Sequence, residues 1–334
     1  MTLPTICIVA SGGTICSTYD KNLGGWVPAA SAEEMTGAIP ELSEIANLRL
    51  IEHSRVAGTR MSTATAFGLR DCLRDALRDD AVTGAVITHG TATIEETAYL
   101  LDLTLGLEKP VAITGAQRNF DEPDSDGPRN ILHAVQVVAD PAAGKRGVLV
   151  VCGGEIHAAR NAMKTHTHHL TAFSSRDSGP VGAVTNRGYG PTKTGVVFFA
   201  HSDRRLRFDV NHVVDNVQLI KMVQGMDDLL VRACLGEQVN GIVVEGWAGA
   251  AANHTNFLAL CDALQAGIPV ILATRVFGGC PHTEKAYPGS YKSLIDRDAI
   301  SAGYLSGPKA RILLMVALAH TQDRDELQII FENA

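Results

Sequence analysis

The chain has 334 residues, more than one compact core usually contains, which predicts two domains. A hydrophobic fraction of 46% with 19% charged residues is typical of a soluble globular protein and excludes a disordered chain. The net charge of -7 and the lack of a basic block argue against a nucleic-acid partner. No apolar run approaches the ~20 residues of a membrane span.

Short apolar runs in the first half have the β-branched composition of buried strands. They are TICIVA (5–10), LRLIEHSRV (48–56), GAVITH (84–89), PVAITG (110–115) and GVLVVCGG (147–154). Helical patterns lie between them, such as TAFGLRDCLRDALRDD and DGPRNILHAVQVVAD, the second with Pro128 near its first position. This alternation predicts an α/β fold with a mostly parallel sheet and helices on both faces.

The alternation breaks at about residue 188. RGYGPTKTGVVFFAHSDRRLRFDVNH has no helical period, which indicates a connector with some strand content. Alternation resumes with VQLIKMV, GIVVEGW and PVILATRV, and a last helix follows with GPKARILLMVALAH. We therefore predict a larger N-terminal α/β domain at 1–190, a linker at 191–213 and a smaller C-terminal α/β domain at 214–334.

Seven cysteines are scattered singly through apolar runs, with no CxxC pair. This pattern favours buried, reduced thiols over disulfides and hence a reducing compartment. The first stretch, MTLPTICIVASGGT, lacks the basic region of a signal peptide. We expect a cytoplasmic location, unless a leader was removed.

Three unusual loops follow predicted strands, at the edge where α/β sheets bind ligands. In the first, ASGGTICSTYDKNLGGW, Gly12 and Gly13 let the backbone approach a ligand and place Thr14 at a tight turn. A plain turn is the alternative. The glycine pair could also bind a nucleotide phosphate, but neither GxGxxG nor GxxxxGK[ST] is present, so that signal is weak.

The second loop opens THGTATIEETAYLL, residues 88–101. Thr93 suits a helix N-cap, with Glu96 completing a capping box. Thr91 is not needed for that role. A threonine hydroxyl becomes a nucleophile only with a base or a suitable environment, so Thr91 is either a catalytic hydroxyl or a further turn or capping group.

The third loop is GGEIHAARNAMKTHTHHLTAFSS. Lys164 is either a solvated surface group or a neutral amine that takes a proton from a hydroxyl. His166, His168 and His169 raise the possibility of a metal, but no nearby Cys or paired carboxylate completes a ligand set, so we expect no metal and no cofactor. Two threonines and a lysine at the ends of three neighbouring strands favour acyl transfer over redox chemistry.

Through these residues the chain resembles the bacterial L-asparaginase/glutaminase family, in particular its type II branch. The matching segments, in order, are SGGTI, THGTATIEETAYLL, TGAQR, SDGPRN, MKTHT, SGPVG and GPKARILLMVALAHTQDRDELQIIFENA. The resemblance covers essentially the whole chain, and two threonine motifs with the lysine in register make it specific. It implies two α/β domains, a small amide substrate and a homotetramer, a dimer of intimate dimers with active sites between subunits.

The resemblance also implies roles for individual residues in an amidohydrolase. Thr14 is the expected nucleophile, while Thr91 and Lys164 form the second triad, which activates a nucleophile or water. The backbone around Thr14 and Thr91, including Gly90, would stabilise the oxyanion, each donor being worth roughly 3–4 kcal/mol. The carbonyl of Ala116 would lie near the amide nitrogen of the substrate.

The chain departs from the family where the substrate head group binds. The family has an aspartate directly after the second threonine, where it holds the α-ammonium of the substrate, and here that position is Ala92. The AGTRM segment offers Gly58, Thr59 and Arg60 in place of the usual Ser-Gln or Ser-Ser-Asp pattern. Breaking a buried charge pair costs roughly 3–5 kcal/mol, so we expect a free α-amino acid to bind poorly.

Three explanations of Ala92 remain open: an engineered substitution that disables an asparaginase, drift to a non-catalytic binding protein, and retuning to a substrate without a free α-amine. The retained Thr14 and Lys164 and the altered AGTRM segment favour retuning. Arg60 is then either a bidentate carboxylate ligand or a surface charge. The family's flap tyrosine is also missing in register, with Trp26 in the expected region and a tyrosine a few residues upstream.

Overall fold

The computed structural model describes residues 2–186, 194–200, 205–237, 239–282 and 284–334. The chain divides into two units, residues 1–204 and 205–334. The predicted boundary at residue 190 and the first residues of the predicted linker, 191–193, lie outside the described residues. Farther along that linker, residues 194–198 form a strand of the first unit.

Strands and helices alternate through the parallel part of the first unit, as predicted. Its strands are β1 (Thr5–Gly12), β2 (Ser17–Asp20), β3 (Gly25–Pro28), β4 (Asn47–Val56), β5 (Val82–Thr88), β6 (Val111–Thr114), β7 (Val148–Cys152), β8 (Glu155–Ala158), β9 (Ala162–Lys164), β10 (Phe173–Ser175), β11 (Gly182–Asn186) and β12 (Thr194–Phe198). Its helices are α1 (Ala32–Gly37), α2 (Thr63–Arg78), α3 (Ile94–Thr104) and α4 (Gly127–Ala139). The five strands predicted in this region are confirmed as β1, β4, β5, β6 and β7.

Across the described ranges of this unit, eight strands form one sheet in the order β12-β11-β8-β7-β6-β5-β1-β4. The run from β4 to β7 is parallel, as predicted. The three remaining strands, β8, β11 and β12, are antiparallel and extend one edge. β12 lies in the connector for which some strand content was predicted. The prediction missed β8, because this strand is short and partly polar, without the apolar run that marks the parallel strands.

The parallel strands β1, β5, β6 and β7 are buried on both faces, because alternate side chains enter separate cores, whereas the residues of the edge strand β4 are exposed or half-buried. Ile6 and Ile8 pack in the core that includes α1 and α4, whereas Cys7 and Val9 pack in the core that includes α2 and α3. The connections through α3 and α4 step in the same direction along the sheet but lie on opposite faces, so they have opposite hand. Such crossovers are right-handed in the great majority of proteins, which makes this pair unusual.

The second unit is also α/β. Its strands are β13 (Val217–Lys221), β14 (Gly241–Gly246), β15 (Val270–Thr274) and β16 (Ile300–Ser301), and its helices are α5 (Leu229–Gly236), α6 (His254–Gln265), α7 (Tyr291–Ile295), α8 (Gly307–His320) and α9 (Arg324–Glu332). In the described part of this unit, the four strands form a parallel sheet in chain order. The predicted strands are confirmed as β13 to β15, and the apolar GPKAR stretch forms α8.

The cysteines are free, and most of them are buried. Burial raises the pKa of Cys7, Cys16 and Cys152 to about 11, which keeps these thiols protonated. Cys280 is exposed, so the expectation that every thiol is buried is wrong for this residue. Of the helices in the described ranges, none is long and apolar enough to cross a membrane.

Candidate active site

Three glycines from three loops pack backbone against backbone at the carboxyl edge of the parallel strands. A Cβ atom on Gly13 would lie 2.3 Å from Gly90 Cα, and one on Gly58 would lie 3.1 Å from the same atom. We call this the glycine contact. It joins the loops after β1, β4 and β5, because only glycine permits so close an approach. Thr14 follows Gly13 and Thr91 follows Gly90, so the glycine contact places the two threonine loops side by side.

Thr93 reinforces the same junction. It occupies the N-cap position of α3, as predicted, but its hydroxyl donates to the Gly58 carbonyl at 2.9 Å instead of capping the helix. The predicted capping box is therefore wrong, since the loop after β4 provides a competing acceptor for the hydroxyl. The hydrogen bond fastens this loop to the start of α3.

The side chain of Thr91 is bound by Lys164. Lys164 Nζ donates to Thr91 Oγ1 at 2.8 Å and to Gln117 Oε1 at 3.1 Å. Thr91 is only 7% exposed, and partial burial lowers the pKa of Lys164 from its usual value of 10.5. A buried hydroxyl against a lysine with a lowered pKa is suited to proton transfer.

Lys164 approaches the site from an element that the sequence did not predict. We expected it at the end of a third neighbouring strand of the main sheet, and this was wrong. It is the last residue of β9, which pairs antiparallel with β10. Gly153 and Gly154, with φ of +61° and +84°, turn the chain back after β7, and the lysine follows that reversal. Its backbone N–H donates to Glu95 Oε2 at 2.7 Å, which ties β9 to the first turn of α3.

A network of hydrogen bonds, which we call the brace, fixes the backbone at Gln117. The Gln117 N–H donates to Asp126 Oδ1 at 3.0 Å. The buried Asn130 donates from Nδ2 to Asp126 Oδ2 at 3.0 Å and to the Gly115 carbonyl at 2.9 Å, and it accepts from the Gly153 N–H at 3.1 Å. These bonds connect the loops after β6 and β7 to the start of α4. Sequence reasoning missed this brace; the SDGPRN motif contains both polar residues but does not reveal their partners.

The loop after β6 adjoins Thr91 directly. A Cβ atom on Gly115 would lie 2.9 Å from Thr91 Cγ2, so this position also requires glycine. The next residue, Ala116, is 1% exposed. The candidate substrate residue Ala116 is thus held in the chain segment that packs against the second threonine.

The remaining candidate substrate residues lie on the surface of the first unit. Ala92, Thr59 and Arg60 are exposed, and Gly58 is half-buried. Gly58, Thr59 and Arg60 form a short 3-10 turn after β4. The side chain of Arg60 makes no hydrogen bond or ion pair with any residue that the structure describes. The glycine contact and the Thr93 bond attach this turn to the loop that carries Ala92.

An aromatic hairpin follows the first threonine. Tyr19 on β2 lies opposite Trp26 on β3, and their ring centroids are 5.1 Å apart. Asp121 accepts from the Tyr19 N–H at 2.7 Å and from Trp26 Nε1 at 3.0 Å. The two aromatic residues of this region therefore form one half-exposed pair, anchored by a carboxylate.

His89 supports the second threonine loop from inside. It is fully buried, and its Nδ1 donates to the Gly90 carbonyl at 2.9 Å, since a carbonyl oxygen can only accept. Desolvation lowers the pKa of His89 to about 4, so the ring is neutral at physiological pH. A neutral ring in this position orients the Gly90 peptide without adding charge to the site.

The cluster of three histidines that follows Lys164 in the chain does not form a metal site within the described residues. His166, His168 and His169 lie in the loop after β9 and not on a strand face. The N–H groups of His168 and His169 both donate to His166 Nδ1 at 3.0 Å. Within the described residues, no group of three or more His, Cys, Asp or Glu side chains could hold a metal ion.

Comparison with known proteins assigns the family. The family model "Asparaginase, N-terminal" matches residues 5–193, and "Glutaminase/Asparaginase C-terminal domain" matches residues 216–331. The chain is 32% identical over 345 residues to "L-asparaginase 2" of Escherichia coli, covering 99% of this chain and 93% of the relative. It is 30% identical over 337 residues to "Probable L-asparaginase periplasmic" of Haemophilus influenzae, with coverage of 99% and 93%.

A solved structure agrees with the sequence relatives. The crystal structure of "Probable Cytoplasmic L-asparaginase from Campylobacter jejuni" superposes with a TM-score of 0.87 at 28% identity, covering 98% of this chain and 99% of that chain. The two-domain α/β fold and the resemblance inferred from the motifs are thereby confirmed. The chain belongs to the asparaginase family of amide-hydrolysing enzymes.

Proposed function

We propose that this chain hydrolyses a carboxamide through an acyl-enzyme, with Thr14 as the nucleophile and the Thr91–Lys164 pair activating water. The observation that carries the proposal is the 2.8 Å bond from Lys164 Nζ to the buried Thr91 Oγ1. The glycine contact sets this pair beside the loop of Thr14. A threonine hydroxyl on one loop, with a second hydroxyl bound to an amine of lowered pKa on the neighbouring loop, provides the groups that acyl transfer requires.

In this mechanism Thr14 Oγ attacks the amide carbon, and its proton passes to an acceptor in the flap or to a water. Backbone N–H groups around Thr14 and Thr91 stabilise the oxyanion. The C–N bond then breaks, and the nitrogen leaves as ammonia after gaining a proton. A water that loses its proton through Thr91 and Lys164 attacks the acyl carbon, which releases the carboxylate and restores the Thr14 hydroxyl.

The proposed substrate lacks a free α-amine. Ala92 brings no charge that could pair with an ammonium, and it lies exposed directly beside Thr91. The exposed Arg60, without a partner among the described residues, is suited to bind a carboxylate. ω-Amides of dicarboxylic acids and N-blocked derivatives of asparagine or glutamine combine these features. The Ala116 carbonyl is the proposed contact for the amide nitrogen.

The experiment is ammonia release from succinamate, N-acetyl-asparagine, asparagine and glutamine. We expect the first two to exceed the free amino acids, and we expect Thr14→Ala to lower kcat on the best amide by at least about a thousandfold. Thr83→Ala, an exposed threonine at the other end of β5, is the matched control and should retain activity. Full activity of Thr14→Ala would show that the mechanism is wrong.

A substitution at Ala92 distinguishes this proposal from the alternative, an ordinary asparaginase that has lost the residue that binds the substrate's ammonium. If the latter holds, Ala92→Asp should raise asparagine turnover by about two to four decades, the equivalent of a restored charge pair. Unchanged asparagine turnover favours the retuned substrate. A non-catalytic binding protein would instead be stabilised by an amide without releasing ammonia, and a nucleotide-binding protein would be stabilised by nucleotides.

The family resemblance supports the first of two further proposals, and the scattered single cysteines support the second. One is a homotetramer built from two intimate dimers, with active sites between subunits. The other is a cytoplasmic location, which agrees with the name of the Campylobacter jejuni protein. The relative from Haemophilus influenzae is named periplasmic, so fractionation of the native host is the deciding measurement for location.

A further inference from the structure

We propose that Gln117 is a positioning residue for the Lys164–Thr91 pair: its Oε1 accepts one Nζ–H and thereby directs the remaining face of the amine at Thr91 Oγ1. The two distances, 3.1 Å to Gln117 and 2.8 Å to Thr91, make these the side-chain acceptors of Nζ in the described residues. The inference rests on the proposed role of the pair in proton transfer.

Gln117 is itself held in place. Its backbone N–H is fixed by Asp126 Oδ1 at 3.0 Å, and Asp126 also accepts from the Arg118 N–H at 3.0 Å and from Asn130. Because the backbone of Gln117 is already fixed, binding the lysine costs only the rotamer freedom of the side chain and no further backbone entropy. Its oxygen can therefore set the direction of Nζ more firmly than a side chain on a free loop could.

The amide of Gln117 carries no charge, so this acceptor does not favour the protonated form of Lys164 as a carboxylate would. Three ionisable residues lie on the elements near Lys164: Glu95 on α3, Cys152 on β7 and, on the far side of Gln117, Asp126 at the start of α4. Glu95 is engaged by the lysine's backbone N–H, and the pKa of Cys152 is raised to about 11, so that the thiol is uncharged. Within the described residues, no carboxylate forms an ion pair with Nζ, and Ala92 offers no acceptor in its side chain.

A neutral acceptor serves both protonation states of the lysine. When Lys164 is neutral, one N–H bonds Gln117 Oε1 and the nitrogen lone pair can face the Thr91 hydroxyl. When that hydroxyl passes its proton to Nζ, the amine becomes an ammonium, and the bond to Gln117 persists. A carboxylate in this position would stabilise the ammonium and hold back the proton that has to return.

Two variants test the inference. Gln117→Glu keeps the shape and adds a charge, so we expect it to raise the pKa of Lys164 by about one to three units and to move the acid limb of kcat/KM to higher pH. Gln117→Met removes the acceptor and should lower kcat about tenfold or more while KM changes less than threefold. Gln218→Glu, at an exposed position on β13, adds the same charge elsewhere. It should change neither the pKa of Lys164 nor the kinetic constants.

The pKa of Lys164 is measured without turnover, by competitive labelling with acetic anhydride and mass spectrometry of the Lys164 peptide. The inference is overturned if Gln117→Glu leaves the labelling pKa of Lys164 unchanged, or if Gln117→Met retains kcat within about twofold. A shifted labelling pKa in a protein whose Lys164→Met variant remains fully active supports the placement of Gln117 and overturns the proposed function instead. Far-UV circular dichroism and thermal unfolding establish that each variant is folded.

Discussion

At the scale of single residues, the proposed mechanism depends on the protonation state of Lys164. Burial lowers the lysine pKa from 10.5, so the neutral amine is more abundant at a given pH than for an exposed lysine. Because the proposed base is the neutral form, we expect kcat/KM to rise with pH along an acid limb whose midpoint lies below 10.5. A pH–rate profile on the best amide substrate measures this midpoint.

Lys164→Arg completes the test, because arginine remains protonated throughout the accessible pH range. We expect this variant to lose about two to four decades of kcat/KM and to lose the acid limb. An arginine variant with the wild-type profile would mean that the limb belongs to another group. The sequence alone left Lys164 open as a surface charge, since burial and hydrogen-bond partners depend on the fold.

At the scale of elements, the site depends on loops that meet through their backbones. We expect Gly13→Ala to destabilise the protein by about 2–4 kcal/mol and to abolish ammonia release, because its Cβ would lie 2.3 Å from Gly90 Cα at a φ of +90°. Denaturant unfolding and the amide assay measure the two effects.

Gly179→Ala separates the clash from the backbone strain. Gly179 has a φ of +67°, but a Cβ there would meet nothing within 4 Å. Its alanine variant should cost only about 1–2 kcal/mol and keep activity. If the two variants lose equal free energy of unfolding, then strain at positive φ, and not the contact between loops, accounts for the effect of Gly13→Ala.

The elements themselves were predictable where burial leaves a periodic signal. The inner parallel strands are buried on both faces, so β1 and β5 are visible as continuous apolar runs. The antiparallel strands β8 to β12 are short, and the pairing of β8 with β7 depends on the reversal at Gly153, which no local pattern specifies. Because β1 and β5 were recognised, the sequence placed Thr14 and Thr91 on neighbouring loops correctly. Because the reversal at Gly153 was not recognised, it assigned Lys164 to the wrong strand.

At the scale of the whole molecule, the testable property is assembly. The chain has a mass of 35.5 kDa, so the proposed tetramer has a mass of about 142 kDa, four times that value. If the active sites lie between subunits, specific activity should fall on dilution as the oligomer dissociates. Sedimentation velocity over the same concentration range measures the mass, and constant activity in a dissociated monomer would contradict the proposal.

The family and the proposed chemistry were accessible from ordered motifs across the chain, whereas the partners of the lysine were not. Gln117 is one letter in TGAQR, and its contact with Lys164 becomes visible only when the loop after β6 is placed against β9. Asp126 and Asn130 are similar cases, because their roles depend on carbonyl and N–H groups of distant loops.

The exposed positions Ala92, Thr59 and Arg60 have a consequence for how such an enzyme can evolve. Side chains there can be exchanged at little cost to folding, because substitutions at surface positions usually change stability by less than about 0.5 kcal/mol. If these residues contact the substrate as proposed, a lineage could adopt a new amide through a few codon changes at these three positions. A saturation library confined to these three codons should yield well-folded proteins with divergent amide preferences.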